Sequence, residues 1–371
     1  MHCPPFCPNK ECSEHRHTGK PDYTWWAREG AFLSKCAGRI PRFRCKVCGR
    51  HFSEATFSVD YYSKKHVDLR RMKDLLTNGS GIRATARQLH VSPTTITRRI
   101  MILCRQCLAA HGALTDEAVP NEELVADGFQ SFWVSQFHPN NFNLLVGADS
   151  QYLYAMTQAT LRRAGRMTPH QKRRRARIEA ADPPDPGALT DSFQNLLNEG
   201  EQLWDRMKAD ERVLRTDEHQ TYTRCLSRCT VEGIRHIRVS SKAPRSVTNP
   251  LFAVNYLDRE IRKDLAEHHR ESVCFARNAA LSTARMWIYL VLHNLEKPYR
   301  VSPEQRNSHA EVAGITAEKV RRVRRKLYTE RAFFSRARLS VPLRVAWMGM
   351  IRTPEGENRI NVRLTPAYCS A

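Results

Sequence analysis

Residues 123–132, ELVADGFQSF, and 211–219, ERVLRTDEH, each close a short apolar run on an acid, Asp127 and Asp217. Apolar runs of that length ending on polar residues read as strands, which places both carboxylates at strand ends. A third stretch, 249–265, NPLFAVNYLDREIRKDL, carries Leu251, Val254, Leu257, Ile261 and Leu265 at helical spacing, and Asp258 lies within it. Two strand-end carboxylates and one on a later helix are what a two-metal phosphoryl-transfer site needs: hard oxygen ligands around Mg2+ or Mn2+, with positions left for water and phosphate oxygens. Glu260, Glu267 and Glu271 compete with Asp258 for the third place, and Asp149 is a rival ligand in a turn-like Asp-Ser setting.

Between these acids, 142–150, FNLLVGADS, and 151–161, QYLYAMTQATL, read as antiparallel strands meeting near Asp149 and Ser150. Next comes a basic block in which Arg162, Arg163, Arg166, Lys172, Arg173, Arg174, Arg175 and Arg177 crowd together before Asp182-Pro-Pro-Asp-Pro-Gly. Such density repels itself unless an anion is near, so Arg173, Arg174 and Arg175 are candidates for DNA backbone contact. A helix is expected from about Leu189 to Lys208 with Phe193, Leu196, Leu197 and Leu203 inward, then a strand at IRHIRVSS and a polar loop, SSKAPRSVTNP, suited to gripping DNA. His219 is a candidate phosphate or leaving-group contact, and Asn255 shares the face of Asp258.

Working toward the amino terminus, 81–103, GIRATARQLHVSPTTITRRIMIL, fits two helices about a turn. Ile82, Ala86 and Leu89 form one face, Val91 plugs the turn, Ser92 caps and Pro93 starts the second helix, and Ile96, Ile100 and Leu103 face inward. Thr94, Thr95, Thr97, Arg98 and Arg99 then lie near the exposed start, where a helix-turn-helix meets base edges and phosphates. Before it, 67–79, VDLRRMKDLLTNG, reads as a helix with an Asn-Gly stop.

At the start, Cys7-x4-Cys12 and Cys45-x2-Cys48 make two close pairs far apart, the spacing of a structural zinc site. Cys3, Cys36, His2, His15 and His17 are alternative ligands, and Arg39, Arg42, Arg44, Lys46 and Arg50 surround the second pair. Cys104/Cys107 and Cys225/Cys229 fall in helical contexts without turn glycines and read as core thiols.

The formal charge of +22 suits a polyanionic partner, and nucleic acid is the simplest. No apolar run is long enough to span a bilayer, MWIYLVLHNL being the nearest, and MHCPPFCPNKEC lacks the basic-then-apolar order of a signal peptide. The expectation is a cytoplasmic protein whose cysteines are thiols or metal ligands.

CPNKEC with RFRCKVCGRHFS, the two-helix segment, DGFQSF with FNLLVGADS, RRAGRMTPHQKRRR, RTDEH, and NPLFAVNYLDREIR with HHRESVCFARN follow one another over most of the first 295 residues. In that order they resemble bacterial insertion-sequence transposases that join a zinc ribbon, a helix-turn-helix and an RNase H-like DDE domain. The resemblance implies Asp127 and Asp217 as the first two catalytic acids. Relatives usually place Glu near the start of the last catalytic helix, followed after two residues by Asn; Asn255 and Asp258 stand here as an exchange of amide and acid, a DDD-like site.

The expected fold is multidomain α/β: zinc ribbon 1–58, helix-turn-helix 59–110, linker 111–123, RNase H-like mixed-sheet catalytic domain 124–295 with a basic insertion at 160–188, and a mostly helical C-terminal extension 296–371. One long helix is expected over ESVCFARNAALSTARMWIYLVLHNL, with Val273, Phe275, Leu281, Met286, Trp287, Leu290 and Val291 packing inward. A short helical unit ending in basic turns is expected at 302–330, and strands and turns from 333 onward. The expected activity is metal-dependent cleavage and strand transfer at element ends, with structural Zn2+, catalytic Mg2+ or Mn2+, double-stranded DNA as partner, a homodimer or larger assembly on DNA, and a bacterial, nucleoid-associated setting. The alternatives are an inactive sequence-specific regulator derived from such an enzyme, and a structure-specific nuclease.

Overall fold

The computed structural model describes residues 3–16, 24–208, 212–269, 274–302 and 306–355. Of the candidate residues, His2, His17, Glu271 and Val273 lie outside these. The architecture is multidomain α/β: an amino-terminal module around four cysteines, a mixed-sheet unit, and a helical carboxy-terminal region.

The module is a three-stranded antiparallel sheet, β1 (Trp26–Ser34), β2 (Gly38–Cys45) and β3 (His51–Ser53), with its own small core of Trp25, Trp26, Phe43 and Phe52 beside Cys7, Cys12 and Cys45. So few apolar groups stabilise a sheet only weakly, which makes a metal a natural supplement. The module is fastened to the far end of the chain: Ser58 and Glu330 form an isolated antiparallel bridge, His15 Nε2 meets Ser335 Oγ at 2.9 Å, and Arg336 lies 4.0 Å over the ring of Phe6.

Three helices follow, α1 (Leu69–Leu76), α2 (Ile82–Gln88) and α3 (Pro93–Thr115). Asp68 caps α1 through the amides of Arg70 and Arg71, and Ser92 caps α3 through the Thr95 amide, with Pro93 at the first position. Ile82, Leu89 and Val91 pack with Ala86, Ile96, Ile100 and Leu103 as the spacing requires. The helix α3 is 23 residues long and enters the stretch expected to be a linker at 111–123. Its second half packs on a later helix, α8 (Ala279–Leu295), and His111 Nε2 bonds the Tyr154 carbonyl oxygen at 3.0 Å. At Gly112 the Arg338 carbonyl passes where a Cβ would stand, only 1.9 Å from it, so no larger residue fits there without moving backbone.

The sheet contains β4 (Leu124–Phe132), β5 (Pro139–Gly147), β6 (Leu153–Thr160), β7 (Val213–Asp217) and β8 (Arg235–Val239) in the order β6-β5-β4-β7-β8. The first three form an antiparallel meander, and β7 and β8 run parallel to β4. β5 is buried at every residue, as a central strand covered on both faces must be. Between β6 and β7 come α4 (Pro169–Ala181), which buries no residue, and α5 (Ala188–Trp204), which buries Phe193, Leu196, Leu197 and Leu203 against β5 and β6. The short α6 (Gln220–Leu226) follows β7, and α7 (Phe252–Asp264) packs on β4 and β5.

One contiguous core joins α1–α3, the sheet and the carboxy-terminal helices. Two expectations are corrected there. The helix expected over 271–295 starts only at Ala279, where the Asn278 side chain accepts from the Leu281 amide; Phe275 lies ahead of it, edge-on to Phe132, because Ala276 bridges Trp133 in the sheet direction. The tail expected as strands and turns instead forms α11 (Val341–Met348), begun by Ser340 and Pro342 and stopped by Gly349 at φ 65°. A short apolar run does not itself distinguish a buried strand from a buried helix. The unit at 302–330 is helical as expected: α9 (His309–Val312) and α10 (Ala317–Leu327), the latter with exposed Arg321, Arg322, Arg325 and Lys326.

Candidate functional sites: a cysteine quartet and a carboxylate face

The thiols of Cys7, Cys12, Cys45 and Cys48 all lie within 4.8 Å of one another, with Cys7–Cys48 at 3.6 Å and Cys12–Cys45 at 3.8 Å. A tetrahedral zinc ion with Zn–S bonds of ~2.3 Å spaces its sulfurs by about 3.8 Å. The quartet therefore has the size and donor chemistry of a structural zinc site. Two tight turns build it: the Cys12 amide donates to the Asn9 carbonyl, and the Gly49 amide to the Cys45 carbonyl, with Gly49 at φ 72°. Burial pushes the Cys7 and Cys12 thiols up. Burial opposes ionisation of Cys48 too, yet the Arg50 amide and the Asn9 side chain bring it down to about 7. A dication is what would let all four sit together as thiolates. His15 is no ligand here, since Nδ1 meets the Cys7 carbonyl at 2.7 Å and Nε2 meets Ser335. Cys3 and Cys36 stand outside the quartet; Cys104, Cys107 and Cys225 are buried thiols as expected, whereas Cys229 is half-buried.

Sheet register relates two of the three acids. β4 and β7 pair in parallel through Leu124↔Leu214 and Val125↔Arg215, which carries Asp127 and Asp217 to matching heights on adjacent strands. Asp127 Oδ1 accepts from the Gly128 amide at 2.7 Å, and Asp217 Oδ1 from the His219 amide at 2.8 Å. Burial raises the Asp127 carboxyl to about 6 and the charge of Asp217 adds to that rise, while the Gly128 amide, the Tyr222 hydroxyl and Arg245 pull the other way. Tyr222, on α6, points its hydroxyl at Asp127 Oδ1 from 3.4 Å. Its own ionisation is suppressed first by burial, then by the negative charges of Asp127 and Asp217, and also by Asp258. One phenol thus feels all three sequence-predicted acids.

The competing acids have other partners. Glu260 is buried and ion-paired to Lys263 and Lys297, and Glu267 is buried against Arg285 at 2.8 Å. Asp149 is exposed in the β5–β6 turn, where its amide donates to Glu122. Among the described residues, the cysteine quartet is the one group of three or more metal-ligating side chains whose ligand atoms all gather within 4.8 Å; the three aspartates are not drawn so close.

His219 caps α6, its Nδ1 accepting from the Thr221 amide at 3.3 Å. Tyr222 is not singled out by the sequence, its signal being its place one helical turn past the cap that follows Asp217, and Arg245 belongs to the SSKAPRSVTNP loop expected to grip DNA. Of the DNA-contact candidates, Thr94 and Arg98 are exposed, whereas the Thr95 hydroxyl is engaged by Ser92 at 2.9 Å and that of Thr97 by the Thr94 carbonyl at 2.8 Å. Arg99 corrects an expectation: it is buried, ion-paired to Asp60 at 2.6 Å and donating to the Val59 and Lys65 carbonyls. Position 99 falls on the same helical face as the buried Ile96 and Leu103, so its side chain points inward. On α4, Arg173 and Arg174 are exposed; Arg175 is half-buried, donating to the Arg163 carbonyl and paired with Glu179. No described helix is long and apolar enough to cross a membrane. Compared with known proteins, the chain matches no family model and no curated relative.

Proposed function

We propose that this chain is a DNA transposase that cuts and joins DNA at the ends of its own element, with Asp127, Asp217 and Asp258 as its catalytic acids. The observation that carries this reading is the placement of Asp127 and Asp217 at matching heights on neighbouring parallel strands, with Asp258 close enough to act on the same tyrosine hydroxyl. The sheet order β6-β5-β4-β7-β8, a meander followed by two strands parallel to its first, supports an RNase H-like reading of this unit. The three-helix unit, with its capped α3, supports a helix-turn-helix, and the cysteine module a zinc ribbon.

Carboxylates of this kind fit a hard divalent cation: they supply only oxygen, and Asp127 is a buried carboxylate whose charge burial opposes first and the charge of Asp217 opposes further. When bound, Mg2+ or Mn2+ would supply activation of the attacking oxygen and stabilisation of the leaving one. The Gly128 and His219 amides fix the orientation of Asp127 and Asp217, and Tyr222 keeps its proton and holds it toward Asp127. Arg245, on the exposed loop between β8 and α7, brings positive charge toward Asp127 and would meet a phosphate arriving there.

The test is cleavage of labelled duplexes carrying the sequences that flank the coding region, with MgCl2 or MnCl2. Strand nicks that leave a 3'-hydroxyl, abolished by EDTA and by Asp217→Asn, support the reading. A second reading, a DNA-binding regulator without catalysis, is favoured by the wider spacing of the three acids relative to the thiols. Duplex binding with no metal-dependent cleavage at any flanking sequence would select it.

A further inference from the structure

A cleft of about 860 Å³ lies away from the acids. It opens between the three-stranded sheet and the segment leading into α1, and its volume is in the ~300–1,000 Å³ range of ligand clefts. Two aromatic rings face solvent along it: Tyr62, 74% exposed, and Phe32, 42% exposed. Tyr62 holds φ 58°, a region bulky residues avoid, and its ring stands 4.3 Å from that of Tyr61. A strained backbone that presents a large apolar ring to water is a feature expected at a binding site.

The charge of the cleft is positive. Arg39, Arg42 and Arg50 line it and are exposed. Arg331 lies 4.5 Å over the ring of Tyr61 and 4.3 Å over that of Phe333, held by the Thr56 carbonyl at 3.3 Å, so a guanidinium plane is fixed among the rings. Of the cleft's two acids, Glu54 and Asp60, the latter is already matched by Arg99 at 2.6 Å and His66 at 2.8 Å.

We propose that this cleft binds single-stranded DNA, with bases stacked on Tyr62 and Phe32 and phosphates against Arg39, Arg42 and Arg50. Duplex DNA does not satisfy this surface, because its base faces are already stacked on one another; a frayed or unpaired strand offers them freely. The inference rests on the DNA-handling reading above but not on its cleavage chemistry.

The experiment is fluorescence anisotropy of the full chain with labelled oligo(dT), oligo(rU) and a duplex of unrelated sequence. The wild type is compared with Tyr62→Ala, Tyr62→Phe, Phe32→Ala and Arg42→Ala. The expected result is that Tyr62→Ala and Phe32→Ala each weaken oligo(dT) binding by about tenfold, the scale of one stacked base. Tyr62→Phe retains wild-type affinity, Arg42→Ala lowers the salt dependence, and duplex affinity is unchanged by the aromatic variants. Oligo(dT) affinity within twofold of wild type for both alanine variants overturns the proposal, as does tighter binding of oligo(rU) than oligo(dT). Binding of duplex without oligo(dT) sinks this inference alone; binding of neither removes the DNA-handling reading with it.

Discussion

Asp127 lies as far beyond Leu124 as Asp217 lies beyond Leu214, and Leu124 and Leu214 are paired residues of adjacent parallel strands. Backbone register thereby brings both strands to their acids in step, and the charge of Asp217 is felt at Asp127. Replacing Asp217 by Asn keeps the shape and the amide contact from His219 while removing one charge. Metal-dependent cleavage is expected to fall by at least about a hundredfold, more than loss of an outer-shell partner costs, with duplex affinity unchanged. Gel assays of nicking and anisotropy of binding, run on the same preparation, check both halves.

Cys45→Ser removes one of four thiols from the quartet. Zinc content is expected to drop from one ion per chain to none, measured by atomic emission. Trp25 and Trp26 share the module's separate core, so their fluorescence should change while the far-ultraviolet signal of the main helices persists. Unchanged zinc content would dissolve the assignment.

Arg98 and Arg99 are neighbours with opposite surroundings. Arg98→Ala is expected to weaken duplex binding and leave thermal stability within about 0.5 kcal/mol, the usual range for surface changes. Arg99→Ala leaves Asp60 to His66 and strands two carbonyls, and a loss of about 1–3 kcal/mol is expected for the groups left unsatisfied. Urea denaturation of the two variants separates the roles.

On α4, Arg173 and Arg174 are exposed, Arg174 with its guanidinium 5.0 Å over the ring of Phe137, while Arg175 is tied to Glu179 and Arg163. Neutralising Arg173 and Arg174 should flatten the dependence of log binding constant on log salt by about 0.9 for each phosphate that is no longer neutralised. Arg175→Ala should leave that slope nearly unchanged. Equal slopes for the double variant and the wild type would make this helix solvated surface only.

Four buried histidines set the acid limit of the fold. Burial lowers His111, His268 and His309 to about 4 and drives His293 well below the ordinary histidine value. His293 and His309 stack at 3.8 Å and bond the carbonyls of Gln151 and Ser150. Below the ordinary histidine value of ~6.5 the unfolded chain takes up protons that these residues refuse, so stability falls as pH drops from about 6.5 toward 4. Melting temperature measured across that window should decline steadily, and more gently in His309→Gln. A flat profile would contradict the burial of these rings.

Much of this was legible in the chain. The two cysteine pairs announced themselves by spacing, and the Ser92-Pro93 cap marked the start of α3 because few other positions tolerate that pair so well. The strands bearing Asp127 and Asp217 are visible as apolar runs, but their parallel pairing is not, since register between strands separated by two strands and two helices leaves no local trace. Arg99 escapes a reading of the sequence because a charged residue near a helix start looks exposed until its partners, here Asp60 and the carbonyls of Val59 and Lys65, are known. The end of α3 is hidden for a related reason: His111 and Gly112 look like linker residues, yet each is dictated by a distant contact, the Tyr154 carbonyl and the Arg338 backbone.

That helix has a last consequence. With 23 residues it extends for about 35 Å, close to one turn of B-form DNA. One end displays Thr94 and Arg98 to solvent, and the other packs on α8 and is tied through His111 to β6, in the sheet that carries Asp127 and Asp217. A rod held along its length works as a ruler. Under the proposed function, the bases read at its exposed end and the bond cut at the acids stand at a set separation, and inserting half a turn of DNA between them should move the target out of reach.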